Sequence, residues 1–141
     1  MSDLGSEMQV ALETIIEWGD CDEAGIVFYP RYFYWMDCAF QKFLRLRNMS
    51  QRELRSKFGA RGTPLVSAKA DFRAPATYDQ PLVVEVAVVE WGRSSFRLAY
   101  RGRSQGALIF EGEETRIWAV PDVGGGIRTA PVPSEVRKMM S

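Results

Sequence analysis

The sequence predicts an α+β fold in which one largely buried helix is followed by a run of long antiparallel strands. Two observations carry this. From Pro30 to about residue 47, Tyr32, Trp35, Met36, Ala39, Phe40, Phe43 and Leu44 recur at the helical period, and the first turns are apolar almost all round. Beyond residue 62 the segments alternate with the period of a strand, and neither βαβ alternation nor dinucleotide-binding glycines interrupt them.

Residues 1 to 8 read as a flexible polar tail, and residues 9 to 141 as one domain. A first strand runs from Val10 through Leu12, Thr14, Ile16 and Trp18 and ends at Gly19. Pro30 suits a first helical turn, because its missing N–H would be unpaired there in any case. Ser50 with Glu53 forms a capping box for a short second helix that stops at Gly59. Strands follow over Thr63 to Ala74, residues 82 to 91, residues 94 to 103 and Ala107 to Val120, the last ending at the turn PDVGGG. A tail helix starts at Ser134.

Composition excludes several classes of function. With 18 basic and 18 acidic side chains in 141 residues there is no net field to hold a nucleic acid. No apolar run approaches the roughly 20 residues of a membrane span. Two cysteines allow at most one bridge, and the N-terminus lacks the basic patch and apolar run of a signal peptide, so the cytoplasm is expected. The chain has no histidine. That removes every mechanism built on a Ser-His or Cys-His pair, and it leaves too few ligands for zinc. No metal and no cofactor is expected.

The segment GDCDEAGIVFYP, Gly19 to Pro30, places two carboxylates on a glycine-punctuated loop that opens the aromatic helix. A carboxylate beside unpaired helix N–H groups suits acyl chemistry. Asp22 is the candidate base or nucleophile, set against the ordinary role of an aspartate that closes a turn before Gly25. Asp20 is expected to stabilise the turn by bonding N–H groups two residues on. Cys21 lacks a base that would ionise it, and the glycines at 124 to 126 mark a hairpin. Asp37 falls on the helix among Trp35, Met36 and Phe40, where a carboxylate requires a partner or a wet pocket.

A strand, GDCDEAGIVFYP opening a helix that continues RYFYWMD, then GTPLVS, then a valine-rich strand ending EWGRSSF, resembles the 4-hydroxybenzoyl-CoA thioesterase family of the hot-dog fold. The resemblance implies a helix wrapped by an antiparallel five- to six-stranded sheet. It also implies subunits joined edge to edge as a homodimer, or further as a homotetramer, with acyl-CoA as the partner molecule. On it, Asp22 is the catalytic carboxylate and the Tyr29 backbone N–H polarises the thioester carbonyl. Asp37 binds the ring hydroxyl and Thr63 lines the pocket. Arg93, Ser94 and Arg128 grip the CoA phosphates, with Arg97, Arg101 and Arg103 available to share that load. Glu23 stands where the family often has proline, and Gly92 and Ser94 stand where relatives can carry basic residues. The implied activity is hydrolysis of an aryl-CoA. The alternatives are a short-chain aliphatic acyl-CoA thioesterase of the Tol-Pal-associated type and an acyl-CoA-binding hot dog without turnover. An acyl hydratase is disfavoured, since those sites usually pair an acid with histidine.

Overall fold

The computed structural model describes residues 8 to 141; of the tail expected over residues 1 to 8, all but Met8 lie outside the described residues. The main sheet holds β1 (Gln9–Ile15), β2 (Leu65–Phe72), β3 (Pro81–Trp91), β4 (Ser95–Ser104) and β5 (Ala107–Ile117), in the order β1-β3-β4-β5-β2. Every pairing is antiparallel. Helix α1 (Pro30–Arg45) packs against this sheet, and α2 (Gln51–Phe58) follows it. A separate hairpin of β6 (Ala119–Pro121) and β7 (Ile127–Thr129) precedes the terminal helix α3 (Ser134–Met140).

The apolar face of α1 buries Trp35, Met36, Ala39, Phe40, Phe43 and Leu44 against the inward side chains Val84, Val86, Phe96 and Leu98. The contacts are aromatic as well as aliphatic, with Tyr32 4.8 Å from Phe110 and Phe40 6.0 Å from Phe96 between ring centroids. Gly102 makes room for this layer, because a Cβ there would stand 2.0 Å from the ring of its cross-strand neighbour Phe110.

Several boundaries differ from expectation. The first strand ends at Ile15, not Gly19: Ile16 is fully buried and bonds Gln80 and Asp79 across the connection to β3, and Trp18–Asp20 form a 3-10 turn. The first helix stops at Arg45, and Asn48 at φ 57° ends the turn that follows. The capping box at Ser50 and Glu53 is formed, and Gly59 closes α2 at φ 70°. The strand expected over 63 to 74 spans only Leu65–Phe72, and its alternation does not separate a buried face from an exposed one. It is the sheet edge, and Leu65, Val66 and Phe72 are all about half exposed. The strand expected over 107 to 120 breaks at Trp118, whose buried ring turns edge-on to Phe58 at 6.2 Å and whose N–H bonds the Ser94 carbonyl.

The outer face of the sheet is a lattice of opposite charges. Arg97 pairs with Glu90 at 2.9 Å and with Glu113 at 3.4 Å, Arg103 pairs with Glu85 at 3.1 Å, and Arg101 lies 4.0 Å from Glu111. The arginines offered as extra phosphate ligands are therefore already matched by carboxylates across the strands.

Candidate active site

The loop before α1 is built by its two aspartates in different ways. Asp20 is buried, and its carboxylate accepts the Glu17 N–H at 2.8 Å and meets Arg31 Nε at 2.8 Å. Its carbonyl accepts the Phe28 N–H at 2.8 Å. Asp20 thus ties the 3-10 turn to the start of α1, bonding backward along the chain and not two residues on as expected.

Asp22 is exposed at the tip. Its backbone exchanges bonds with Ile26 and Gly25, each 2.9 Å, and Gly25 takes φ 83°, where a side chain would be strained. One carboxylate oxygen, Oδ1, accepts the Ala24 N–H at 2.9 Å, so the turn-forming role is real. The other oxygen, Oδ2, has no partner among the described residues. Asp22 is therefore oriented by its own turn, with Oδ2 unpartnered among the described residues. Cys21 beside it places its thiol 3.8 Å from the Glu17 carbonyl.

Tyr29 is the N-cap of α1, with helical backbone angles and an exposed phenol. In the first turn Arg31 N–H bonds the Phe28 carbonyl at 2.9 Å, Tyr32 N–H bonds Tyr29 at 3.1 Å, and Pro30 has no N–H. The Tyr29 N–H finds no acceptor among the described residues. It sits at the positive end of a 16-residue helix, where a developing oxyanion gains from both the hydrogen bond and the dipole. The neighbouring Tyr32 phenol is pushed up to about 12 by burial and by the nearby Cys21, so it stays protonated and takes no part as a base.

Asp37 lies two turns along α1 and is paired. Arg116 Nη2 donates to its Oδ1 at 2.9 Å and Gln41 Nε2 to the same oxygen at 3.2 Å, while about half of the side chain remains open to solvent. Sequence reasoning missed Arg116, which is itself buried. Its Nε pairs with the buried Glu114 at 3.0 Å, its Nη1 donates to the Thr63 carbonyl at 3.1 Å, and its guanidinium lies 4.6 Å over the Phe40 ring. Glu114 in turn accepts the Tyr100 hydroxyl at 2.6 Å. Burial, and then Glu114, push the Tyr100 phenol well above its ordinary range. Burial alone would lower the Arg116 guanidinium, but the Glu114 carboxylate overrides it and the group is raised. Thr63 is buried in the loop before β2, its hydroxyl accepting Gln51 Nε2 at 3.0 Å. The signal for this cluster was strand parity. Phe110, Gly112, Glu114 and Arg116 all occupy inward positions of β5, where a charge demands a partner.

Arg93 and Ser94 lie on the β3–β4 turn, at the end of the sheet where Ser95 pairs with Ile117 and Phe96 with Arg116, and Arg128 lies on the β6–β7 hairpin. Gly92 N–H bonds the Ser95 carbonyl at 2.8 Å and closes the β3–β4 turn that carries Arg93 and Ser94. Trp118 joins this turn to the β6–β7 hairpin, donating to Ser94 at 2.8 Å and accepting the Ala130 N–H at 3.1 Å. Arg128 sits on β7 opposite Val120, and both arginines are exposed.

Comparison with known proteins gives concordant results. Residues 16–140 match the family model of the thioesterase-like superfamily. The chain is 34% identical over 138 residues to a 4-hydroxybenzoyl-CoA thioesterase of Pseudomonas sp. strain CBS-3, covering 94% of this chain and 97% of that one. The structure superposes on a 4-hydroxybenzoyl-CoA thioesterase variant crystallised with 4-hydroxybenzoyl-CoA at TM-score 0.87 and 31% identity, covering 96% of this chain and 99% of the other. It also superposes on a gentisyl-coenzyme A thioesterase at TM-score 0.78 and 34% identity, covering 92% and 99%. An antiparallel sheet packed on a buried helix is thus shared with solved thioesterases along nearly the whole chain, and the chain belongs to the thioesterase-like superfamily of the hot-dog fold.

Proposed function

We propose that this protein hydrolyses an aroyl-CoA thioester, 4-hydroxybenzoyl-CoA or a close relative, to the aromatic acid and free CoA. The observation that carries the proposal is the Tyr29 N–H at the start of the buried helix, beside a loop that presents Asp22, with neither that N–H nor Asp22 Oδ2 partnered among the described residues. The similarity to the Pseudomonas thioesterase supports the acyl group.

The thioester oxygen accepts the Tyr29 N–H, which draws electron density from the carbonyl carbon. Asp22 then either attacks that carbon through Oδ2 or takes a proton from a water that attacks it. Negative charge grows on the oxygen, the donor is worth more in the transition state than in the ground state, and such a donor contributes about 3 to 4 kcal/mol. Collapse breaks the C–S bond and CoA leaves as its thiolate; in the covalent route a water then cleaves the acyl-aspartyl anhydride. Asp37 lies eight residues beyond Tyr29, about 12 Å along the helix axis at 1.5 Å per residue. Asp37 Oδ2, without a partner among the described residues, is the acceptor for a ring hydroxyl. Asp37→Ala is expected to lower kcat/KM for 4-hydroxybenzoyl-CoA by roughly ten- to a hundredfold, with a smaller loss on benzoyl-CoA. Equal losses on both would make Asp37 structural.

The working unit is a homodimer at least. The β2 edge exposes unpaired backbone along with Leu65, Val66 and Phe72, and the surface around the loop leaves Trp18, Phe28 and Tyr29 open to solvent. A second subunit would cover both, and pairing of dimers would give the tetramer. Two free cysteines suit a reducing cytoplasm, and no described helix is long and apolar enough to cross a membrane. Light scattering of the active protein at micromolar concentration should give at least twice the chain mass; a fully active monomer contradicts this. Arg93 and Arg128 are the phosphate ligands, with Ser94 on the same turn. Replacing both arginines by alanine should raise KM with little change in kcat, the pattern of lost uniform binding. An unchanged KM would move the phosphate site elsewhere.

A further inference from the structure

We infer that Arg116 is a positioning residue that sets acyl-group specificity by fixing which oxygen of Asp37 faces the substrate. The inference rests on the proposed role of Asp37 as the acceptor for a ring substituent. Arg116 is side-chain buried to within 6% of full occlusion and anchored on three sides before it reaches Asp37: by Glu114, by the Thr63 carbonyl and by the face of Phe40. Its remaining Nη2 donates to Asp37 Oδ1 at 2.9 Å, and Gln41 Nε2 takes the same oxygen at 3.2 Å. Both donors converge on one oxygen, which leaves Oδ2 as an acceptor without a donor hydrogen of its own. An acyl group must therefore bring the proton, as a phenolic hydroxyl or an aromatic amine does and an unsubstituted ring does not.

A half-exposed aspartate on a helix would otherwise sample several rotamers, and each would aim its oxygens differently. The guanidinium prevents this through its planar fork, whose separate nitrogens reach Glu114, Thr63 and Asp37 at once. Lysine at this position keeps the charge beside Glu114 but has a single ammonium that cannot span the three sites.

The test is a cycle of Arg116→Lys and Asp37→Ala, assayed by free-thiol release from 4-hydroxybenzoyl-CoA and benzoyl-CoA. The quantity read is the ratio of the two kcat/KM values, because a general loss of structure lowers both and leaves the ratio in place. Arg116→Lys should reduce the ratio by about tenfold, and adding it to Asp37→Ala should reduce it no further, since the two residues act through one contact. If Arg116→Lys does not fold, the apolar replacement Tyr100→Phe/Glu114→Leu/Arg116→Met removes the buried charges together and should lower the ratio equally. A folded variant with the wild-type ratio, or effects that add in the cycle, would overturn the inference. A ratio lost in Asp37→Ala but kept in Arg116→Lys overturns this inference alone. A wild type that does not prefer the hydroxylated substrate overturns it together with the reading of Asp37 as the acceptor for a ring hydroxyl.

Discussion

Asp22→Asn is expected to lower kcat for 4-hydroxybenzoyl-CoA by at least about a thousandfold, a barrier increase on the order of 4 kcal/mol, with the fold and CoA binding intact. The structure explains why the two effects separate. An asparagine oxygen can still accept the Ala24 N–H, so the turn that Asp22 Oδ1 closes survives, as do its backbone bonds to Ile26 and Gly25. What disappears is the free carboxylate oxygen, and with no histidine in the chain the loop holds no imidazole to replace it. Steady-state turnover together with a thermal melt decides the matter. A variant that keeps a tenth of the activity rules out Asp22 as base or nucleophile. Asp20→Asn should behave in the opposite sense, because Asp20 ties Glu17, Phe28 and Arg31 together and its loss weakens the loop before it weakens the chemistry.

Arg116→Met is expected to destabilise the protein by about 3 to 5 kcal/mol, the cost of leaving one member of a buried ion pair without its partner. Glu114, 3% exposed, would keep only the Tyr100 hydroxyl, and the Thr63 carbonyl would lose its donor. The apolar replacement of Tyr100, Glu114 and Arg116 together should recover most of that loss, because no uncompensated charge remains. Denaturant unfolding followed by the midpoint at constant slope measures both variants. A single replacement that costs less than about 1 kcal/mol would show that water reaches Glu114 and that the cluster is not a closed network.

The main elements were legible because their signals are local. The 3.6-residue period of Tyr32 to Leu44, the Ser50–Glu53 capping box, Gly59 as a left-handed stop and Ser134 as the last helix start are each written in a few adjacent residues. The boundaries that moved depend on distant partners. Trp118 leaves the sheet because Phe58 and Ser94 receive it, and Ile16 ends β1 because residues 79 and 80 bond it. β2 reads as a half-buried strand by alternation, yet it lies at the edge, and nothing in its own eight residues says so. At the site, Asp22, Tyr29 and Asp37 stand out by position near or on the helix. Arg116 and Glu114 do not, since four of the eight residues around them (EGEETRIW) within the expected strand are charged, and only strand parity in the fold sorts Glu114 and Arg116 inward. The outer-face arginines show the converse. Arg97, Arg101 and Arg103 looked available for phosphate, and their carboxylate partners come largely from neighbouring strands.

The central claim is that Asp22 and the Tyr29 N–H hydrolyse a hydroxylated aroyl thioester. Thiol release from a panel of CoA thioesters, covering 4-hydroxybenzoyl, benzoyl, 2-aminobenzoyl, phenylacetyl, butyryl and decanoyl groups, tests it most directly. The account predicts the highest kcat/KM for 4-hydroxybenzoyl-CoA, with benzoyl-CoA below it and the aliphatic esters lower still. A higher value for butyryl- or decanoyl-CoA would contradict the aroyl assignment, and tight binding of all six with no thiol released would contradict the assignment of catalysis itself.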